Sequence, residues 1–236
     1  MAVPMAEPKI IFKHPPLSQA LVGISFLNNL EVADDRARFH TTIRSEFPLV
    51  VMPERNTLTY DFGDYSLQTE DGAIKLEIGM GYFRLVSTKY SGFGDFKRMF
   101  LSALGLFSKC YDLKNVLTMV MSYNNVLPLE SNQKFSDIFV MDMRLPQELQ
   151  SELSAGQGVM MFQKPEGFLS VQLQPQLVAM EVKTYGFNLV FGSLPSRSFD
   201  VAANSFGQLL DVAHGYIESF FFGLLTRSYL EYMRAR

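Results

Sequence analysis

The chain has 236 residues, of which 47% are hydrophobic and 19% are charged, a composition typical of a globular protein and not of a disordered one. Its net charge of −3 excludes a protein that binds nucleic acid over a broadly basic surface. The single cysteine, Cys110, excludes an internal disulfide framework and a cysteine-rich metal cluster.

The first half of the chain begins with a proline-containing arm over residues 1–16. An apolar, partly alternating segment then predicts a strand over 19–27, and two aspartates followed by a downstream proline predict a helix over 34–47. An apolar stripe at helical spacing predicts a long helix from about Phe93 to Tyr111. Strands are expected between these two helices, over residues 58–62, 66–69, 73–78 and 82–87, with a hairpin turn at Asp71 and Gly72.

The second half has a similar order of elements. A strand is expected over 116–123, and Ser198 or Asp200 is expected to cap a final helix that runs to about Arg234. Between them the pattern predicts strands over 138–143, 158–163, 168–173, 177–184 and 188–191, and a short helix over 147–153. The prediction is therefore an α+β fold of two similarly ordered halves, 17–115 and 116–236, each with antiparallel strands and a long helix, packed as one continuous core.

The N-terminal segment has no apolar run of the length found in secretory signals, and no small-residue cleavage site follows it. The most apolar run, residues 217–225, has about half of the roughly 20 residues that a membrane span needs. The sequence therefore predicts a cytoplasmic protein with no membrane association.

Polar residues on the final helix are the first candidates for chemistry. Asp211, His214 and Glu218 are spaced three and four residues apart and share one side of that helix. Such a trio could hold a divalent metal or act as an acid–base pair, but one helix supplies too few ligands for a closed zinc site, and we assign no metal. The other interpretation is a histidine at the boundary of the core, hydrogen-bonded to a neighbouring carboxylate.

No catalytic residue and no cofactor is assigned from the sequence. The chain has no Gly-x-Ser-x-Gly elbow, no phosphate-binding loop and no dinucleotide signature. Cys110 has no obvious histidine partner and is expected to be a small buried hydrophobe. The candidate ligand-binding residues are His214, Asp211, Glu218, Arg84, Arg144 and Tyr123.

Apolar residues suggest an interface. Phe220, Phe221 and Phe222 lie around more of the final helix than one buried face needs, so a second element or a partner subunit is expected to cover them. The run Val159–Phe162 is expected either to be buried on both sides or to form an interface.

Basic residues cluster on the helix predicted over 34–47. Arg36 and Arg44, near Arg38 and His40, could face an acidic partner or simply a solvated surface. Together with Lys97, Arg98 and the C-terminal arginines, they are the basis of a nucleic-acid-binding hypothesis, which the overall acidity opposes.

Several short motifs resemble a sporadically distributed, functionally uncharacterised prokaryotic family of similar length. They are PPLSQALVGISF at 15–26, an aromatic segment with Tyr90, Phe93 and Phe96, a strand ending with Tyr123 and Asn125, and LDVAHGYIESFFFGLLT at 210–226. This chain has Gln19 and Phe93 where that family usually has an acid and a tryptophan. The resemblance implies a prokaryotic cytoplasmic protein of mobile or defence-related loci, and it carries no established catalytic residues.

The leading hypothesis is a non-enzymatic interaction or regulatory protein, such as an adaptor, an inhibitor or the antitoxin-like subunit of a toxin–antitoxin or antiviral defence system. It would associate with a co-encoded protein or with itself as an oligomer. The alternative is a small-ligand or nucleotide-binding sensor or enzyme with a cleft near the C-terminal helix.

Overall fold

A single antiparallel sheet runs through the protein. The computed structural model describes residues 16–52, 64–128, 135–140, 158–177, 183–194, 199–200 and 204–235. Within them, the nine strands of this sheet are β1 (Leu17–Ser25), β2 (Leu49–Val51), β3 (Tyr65–Gln68), β4 (Ile74–Gly79), β5 (Tyr82–Ser87), β7 (Thr118–Pro128), β8 (Gly158–Lys164), β9 (Gly167–Leu177) and β10 (Lys183–Ser193). A separate two-stranded ribbon pairs β6 (Asn115–Val116) with β11 (Phe199–Asp200).

The strand order is β2-β3-β4-β5-β1-β7-β10-β9-β8. β1 pairs with β5 on one side, where Val22 lies opposite Leu85, and with β7 on the other, where Val22 lies opposite Met121. β1 therefore joins the strands of the first half of the chain to those of the second half. Among the strands that the structure describes, β2 and β8 lie at the two ends of this order.

The helices described are α1 (Leu30–Asp34), α2 (Arg36–Ile43), α3 (Phe93–Cys110), α4 (Phe135–Ile138), α5 (Asn204–Leu224) and α6 (Arg227–Ala235). The long helices α3 and α5 cover the same face of the sheet. Phe83 of β5 lies 4.7 Å from Phe107 of α3 between ring centroids, and Phe187 of β10 stacks on Phe221 of α5 at 5.8 Å. The buried apolar residues form one continuous cluster across both halves, and no described helix has the length and apolar character that crossing a membrane requires.

The sequence located most of the described elements. The helix expected from Phe93 is confirmed as α3, and the strands at 73–78 and 82–87 are confirmed as β4 and β5 within one residue. In the turn before β4, Gly72 has φ of +65°, a conformation that glycine adopts without strain. β2 was not predicted.

Two predicted helices differ from the structure. The helix expected over 34–47 is confirmed only as the shorter α2, which starts after Asp35 leaves the helical conformation and its side chain accepts a hydrogen bond from the Arg38 amide, while α1 ends where the predicted range begins. The final helix divides into α5 and α6 because Leu225 forms a β-bridge with Phe139, and the Thr226 amide donates to the Ile138 carbonyl at 2.7 Å.

Other predictions need correction or cannot be compared. A strand over 177–184 is wrong, because Leu177 of β9 lies opposite Lys183 of β10. Asp200 pairs with Asn115 in the ribbon and does not cap α5, and Ile138 ends α4 where a strand was expected to begin. The arm over 1–15, the strand over 58–62, the helix over 147–153, residues 141–143 and Ser198 lie outside the described residues.

We expect Phe107→Ala to lower the free energy of unfolding by about 3–5 kcal/mol, because the truncation leaves a cavity between α3 and the sheet. Phe107 is fully buried, and its ring also contacts Phe26, Phe39 and Tyr111 at centroid distances of 5.7, 5.3 and 5.0 Å. Urea denaturation measures the change. Ser102→Ala, at an exposed position on the same helix, is the control and should change stability by less than about 0.5 kcal/mol.

Candidate functional site

Three polar side chains from separate segments form a hydrogen-bonded chain beneath α5. The Tyr90 hydroxyl lies 2.9 Å from the Tyr123 hydroxyl, which lies 3.0 Å from Nδ1 of His214. Tyr90 precedes α3, Tyr123 is on β7 and His214 is on α5. Three of the four segments named for the family resemblance therefore meet at one place in the fold. We call Tyr90, Phe93, Tyr123 and His214 the His214 cluster.

The secondary structure places each member of the cluster. Successive side chains of β7 point to opposite faces of the sheet. Tyr123 points toward the helices, as Met121 does two residues earlier, and only 7% of its surface is exposed. His214 follows Ala213, which is fully buried on α5, and so lies at the margin of the helix's buried face. Phe93 at the start of α3 covers the imidazole, with ring centroids 3.9 Å apart and ring planes only 12° apart.

Burial keeps the cluster neutral near pH 7. Loss of solvent lowers the pKa of His214 to about 4, and the negative charge of Asp211 offsets this only in part. Loss of solvent also raises the pKa of Tyr90 to about 12 and the pKa of Tyr123 further above its ordinary value. An imidazole with so low a pKa is a weak general base, but it remains a good hydrogen-bond donor and acceptor.

The contacts of His214 fit one tautomer. If the Tyr123 hydroxyl donates to Nδ1, the ring proton is on Nε2, which faces the Glu218 carboxylate at 4.0 Å. Tyr123 can then accept a hydrogen bond from the Tyr90 hydroxyl. Each hydrogen bond then runs in the same direction, from Tyr90 to Tyr123 and from Tyr123 to His214. The imidazole N–H lies last in this series and faces Glu218 at the half-exposed edge of α5.

Asp211 has a partner on the neighbouring helix. The Lys97 ammonium lies 2.6 Å from Oδ1 of Asp211, and this ion pair joins α3 to α5 one turn from the His214–Phe93 stack. Because the Asp211 side chain is 55% exposed, the pair contributes at most about 1 kcal/mol. Lys97, a candidate for nucleic-acid binding in the sequence, is thus engaged within the protein.

The structure unites four of the six predicted ligand-binding residues and separates the others. His214, Tyr123, Asp211 and Glu218 lie around one point on α5. Arg84 lies on the opposite face of the sheet, across Gly23, where its guanidinium is 4.5 Å from the Tyr82 ring centroid. Arg144 lies outside the described residues. Among the residues described, no three His, Cys, Asp or Glu side chains come close enough to hold a metal ion.

The phenylalanines of α5 are covered largely by the protein's own strands. Phe220 packs against Phe162 of β8 at a centroid distance of 4.9 Å, and Phe221 stacks on Phe187 of β10. Phe222 lies edge-on to Phe221. All three side chains are half-buried. The sequence predicted that either a second element of this chain or a partner subunit covers them, and elements of this chain account for much of the covering.

The apolar residues that remain exposed lie on β8. Val159 is 57% exposed and Met161 is 66% exposed, whereas Met160, on the other side of the strand, packs against the core. The prediction that the run Val159–Phe162 is buried on both sides is therefore wrong, and the alternative prediction, that it forms an interface, stays a prediction. Arg44 is exposed on the surface next to α2, but Arg36 is half-buried.

A cavity of about 280 Å³ lies beside the C-terminal half of α5. Its lining includes Tyr216, Phe220 and Lys164, whose ammonium lies 5.0 Å from the Tyr216 ring centroid. The Tyr216 hydroxyl donates to the Glu166 carboxylate at 2.8 Å. The cavity and the His214 cluster are separate places along α5, because the cavity lining contains no member of the cluster.

Sequence reasoning did not select Tyr90 or Phe93 as candidate site residues. Both had been noticed only as aromatic positions of the resemblance, since neither has charge or metal-binding chemistry to mark it. The available signal was a tyrosine and a phenylalanine three residues apart at the start of an amphipathic helix. That spacing does not reveal that the helix end reaches His214, 121 positions away from Phe93, since only the tertiary fold brings them together.

Comparison with known proteins gives no relative from which a role could be transferred: no family model matches the chain, and no curated protein sequence matches it significantly.

We expect stability to fall as pH decreases from about 6.5 to 4, because unfolding restores the ordinary pKa of His214 and the unfolded chain then binds a proton more tightly. The two values correspond to a loss of about 3 kcal/mol at pH 4. The groups facing this imidazole are Asp211 and Glu218 on α5, Phe93 and Lys97 on α3, and Tyr123 on β7.

The measurement is urea denaturation across pH 4–7 for the wild type and His214→Gln, since the carboxylates common to both proteins cancel in the difference. The wild type should show the steeper decline below pH 6.5. Parallel curves for the two proteins would show that His214 does not titrate as its burial requires.

Proposed function

We propose that the protein is a non-enzymatic interaction or regulatory protein, an adaptor, inhibitor or antitoxin-like subunit, that binds an extended segment of a partner protein along β8. The observation that carries this proposal is the pair of exposed apolar side chains, Val159 and Met161, on β8, the edge strand of the sheet within the described residues. An edge strand with unpaired backbone groups is a template for the addition of a further strand.

The composition of β8 supports this use. Proteins commonly protect exposed sheet edges with charges, prolines or very short strands. β8 has seven residues, and its first charge is Lys164 at its end. By contrast, the opposite edge strand, β2, is only three residues long. An added strand would gain backbone hydrogen bonds along β8, and its apolar side chains would pack beside Val159 and Met161 on the same face of the sheet.

The charge at the end of β8 suggests the partner's chemistry. The Lys164 ammonium is held by the Tyr216 ring, and no described carboxylate lies within 4.0 Å of it. The partner segment is therefore proposed to be an apolar strand with an acidic residue near the position of Lys164. The cavity beside α5 lies next to this position and could receive a side chain of that segment.

The setting and the internal organisation belong to the same proposal. The family resemblance supports a prokaryotic cytoplasmic protein from a mobile or defence-related locus. The division into halves at 17–115 and 116–236 is supported by the sheet order, in which β2–β5 lie on one side of β1 and β7–β10 on the other. One long helix, α3 or α5, covers each side.

We expect Met161→Lys to weaken binding of the co-encoded partner at least tenfold, because the substitution replaces an apolar cross-strand contact between β8 and the added strand with a charge. Native mass spectrometry of the protein co-expressed with its genomic neighbours measures the complex. Hydrogen exchange should show β8 amides protected in the complex. Val212→Lys, at an exposed apolar position of α5, is the matched control and should leave the complex intact.

Two results would contradict this proposal. One is a complex that Met161→Lys and Val212→Lys affect equally. The other is a homo-oligomer that Met161→Lys dissociates, since it would assign the β8 edge to a second copy of this chain.

A second candidate function is a small-ligand or nucleotide-binding sensor or enzyme, and the His214 cluster is the observation that favours it. The imidazole offers an N–H from Nε2 at the margin of α5, between the Glu218 carboxylate and the Lys97–Asp211 ion pair. A neutral donor beside both charges suits a small polar ligand with an acceptor atom.

For this candidate we expect a small bound mass in native spectra of the purified protein, lost in His214→Phe and retained in Val212→Ala. The phenylalanine preserves stacking on Phe93 but removes the donor. Binding that survives His214→Phe unchanged would exclude the cluster as the ligand site.

A further inference from the structure

One face of α5 forms most of the wall of the cavity beside its C-terminal half. The lining residues on this helix recur three and four positions apart, the spacing of a single helical face: Tyr216, Ser219, Phe220, Gly223 and Leu224. Around the point that a Cβ of residue 223 would occupy, no described atom outside the adjoining part of the helix lies within 4 Å. The cavity is therefore space that the two small residues, Ser219 and Gly223, leave open.

Two other segments complete the cavity. Side chains alternate along β8, so Lys164 lies on the same side of the strand as Phe162, which packs against α5. The Lys164 ammonium lies 5.0 Å from the centroid of the Tyr216 ring. Val140 also lines the cavity, and its amide donates to the Leu224 carbonyl at 2.9 Å, which holds this residue beside the end of α5. The cavity is thus built by this chain alone.

Contacts outside the cavity fix its aromatic wall. The Tyr216 hydroxyl donates to the Glu166 carboxylate, and the Tyr216 ring stacks on Phe191 with centroids 5.8 Å apart and ring planes 23° apart. One turn further along α5, Phe220 packs against Phe162 at a centroid distance of 4.9 Å. Aromatic side chains held in this way keep their positions without a ligand, which is the property of a preformed binding site.

Lys164 is the one charged residue among the described residues that line the cavity. No described carboxylate lies within 4.0 Å of its ammonium, and Glu166, two residues away, accepts from the Tyr216 hydroxyl. An ammonium beside apolar and aromatic walls favours a ligand that has both an apolar body and a negative charge. Because Glu166 would repel a second negative charge, a carboxylate suits this site better than a doubly charged phosphoryl group.

We propose that this cavity binds a small molecule with an apolar body and one carboxylate group. The apolar body would lie against Phe220 and Leu224, and the carboxylate would pair with the Lys164 ammonium. The volume of about 280 Å³ suits a small ligand, since pockets for drug-sized molecules have about 300–1,000 Å³. The site does not rest on the proposed function, because it needs no partner protein. The acidic residue proposed for the partner would compete with this ligand for the same ammonium.

The test is isothermal titration calorimetry of the full chain with octanoate and with octan-1-ol, which has the same chain length but no charge. We expect octanoate to bind at least fivefold more tightly than octan-1-ol, because only the carboxylate pairs with Lys164. In Lys164→Gln the affinity for octanoate should fall to that for octan-1-ol. No partner protein is present, so failure of this test is distinguishable from failure of the proposal for β8.

A matched pair of glycine variants locates the ligand. Gly223→Leu fills the cavity, and we expect it to abolish octanoate binding. Gly215→Leu makes the same substitution on α5 at an exposed position that has open space around it and does not line the cavity, so it should bind as the wild type does. Because leucine has a higher helix propensity than glycine, both variants should keep or raise the melting temperature, which separates loss of binding from loss of folding.

Three results would overturn the proposal. The first is the absence of saturable octanoate binding to the wild type. The second is equal binding of octanoate to Gly223→Leu and Gly215→Leu, which would place the ligand outside the cavity. The third is a preference for octanoate over octan-1-ol that the wild type lacks or that Lys164→Gln retains, because the carboxylate would then not pair with Lys164.

Discussion

The pairing of β1 with both β5 and β7 is the constraint on which the rest of the structure depends. The register of β1 is fixed by its buried side chains. A shift of one residue in its pairing with β5 and β7 would turn Ala20, Val22 and Ile24 away from the core. Strands separated by about a hundred positions along the chain thus become neighbours. The register that β1 imposes places Tyr123 on the covered face, where α5 can reach it.

The seam between α3 and α5 completes this union of the two halves. It contains the Phe93–His214 stack, the Lys97–Asp211 ion pair and the contact of Phe100 with Phe206. Aromatic stacking and burial contribute more here than the ion pair does, because Asp211 is largely solvated. The neutral imidazole is consistent with this setting, since a charged ring between Phe93 and Tyr123 would lose most of its hydration.

The polar features of the molecule are thus distributed over two places with different physical characters. The His214 cluster is a closed hydrogen-bonded chain with a single donor at its rim. The β8 edge, the last strand of the sheet among the described residues, combines an open backbone edge with exposed apolar side chains. Satisfied groups such as Tyr123 stabilise the fold, whereas unsatisfied groups indicate where another molecule or segment would lower the free energy.

Local signals were sufficient for α3, β4 and β5. The stripe of Phe96, Phe100, Ala103 and Phe107 has the helical period, and Asp71-Gly72 marks the turn before β4 without reference to any distant residue. The same local reasoning failed where distant groups intervene. The break between α5 and α6 depends on the bridge from Leu225 to Phe139, which no spacing within the helix reveals.

The candidate site shows the same division. The spacing of Asp211, His214 and Glu218 placed these residues on one side of a helix, and the sequence by itself determined that much. Only the tertiary structure decided that His214 would pair with Tyr123 and stack on Phe93, that Asp211 would pair with Lys97, and that Arg84 would lie on the opposite face. Periodicity along a chain fixes which side chains share a face, but strand register and helix packing decide what that face meets.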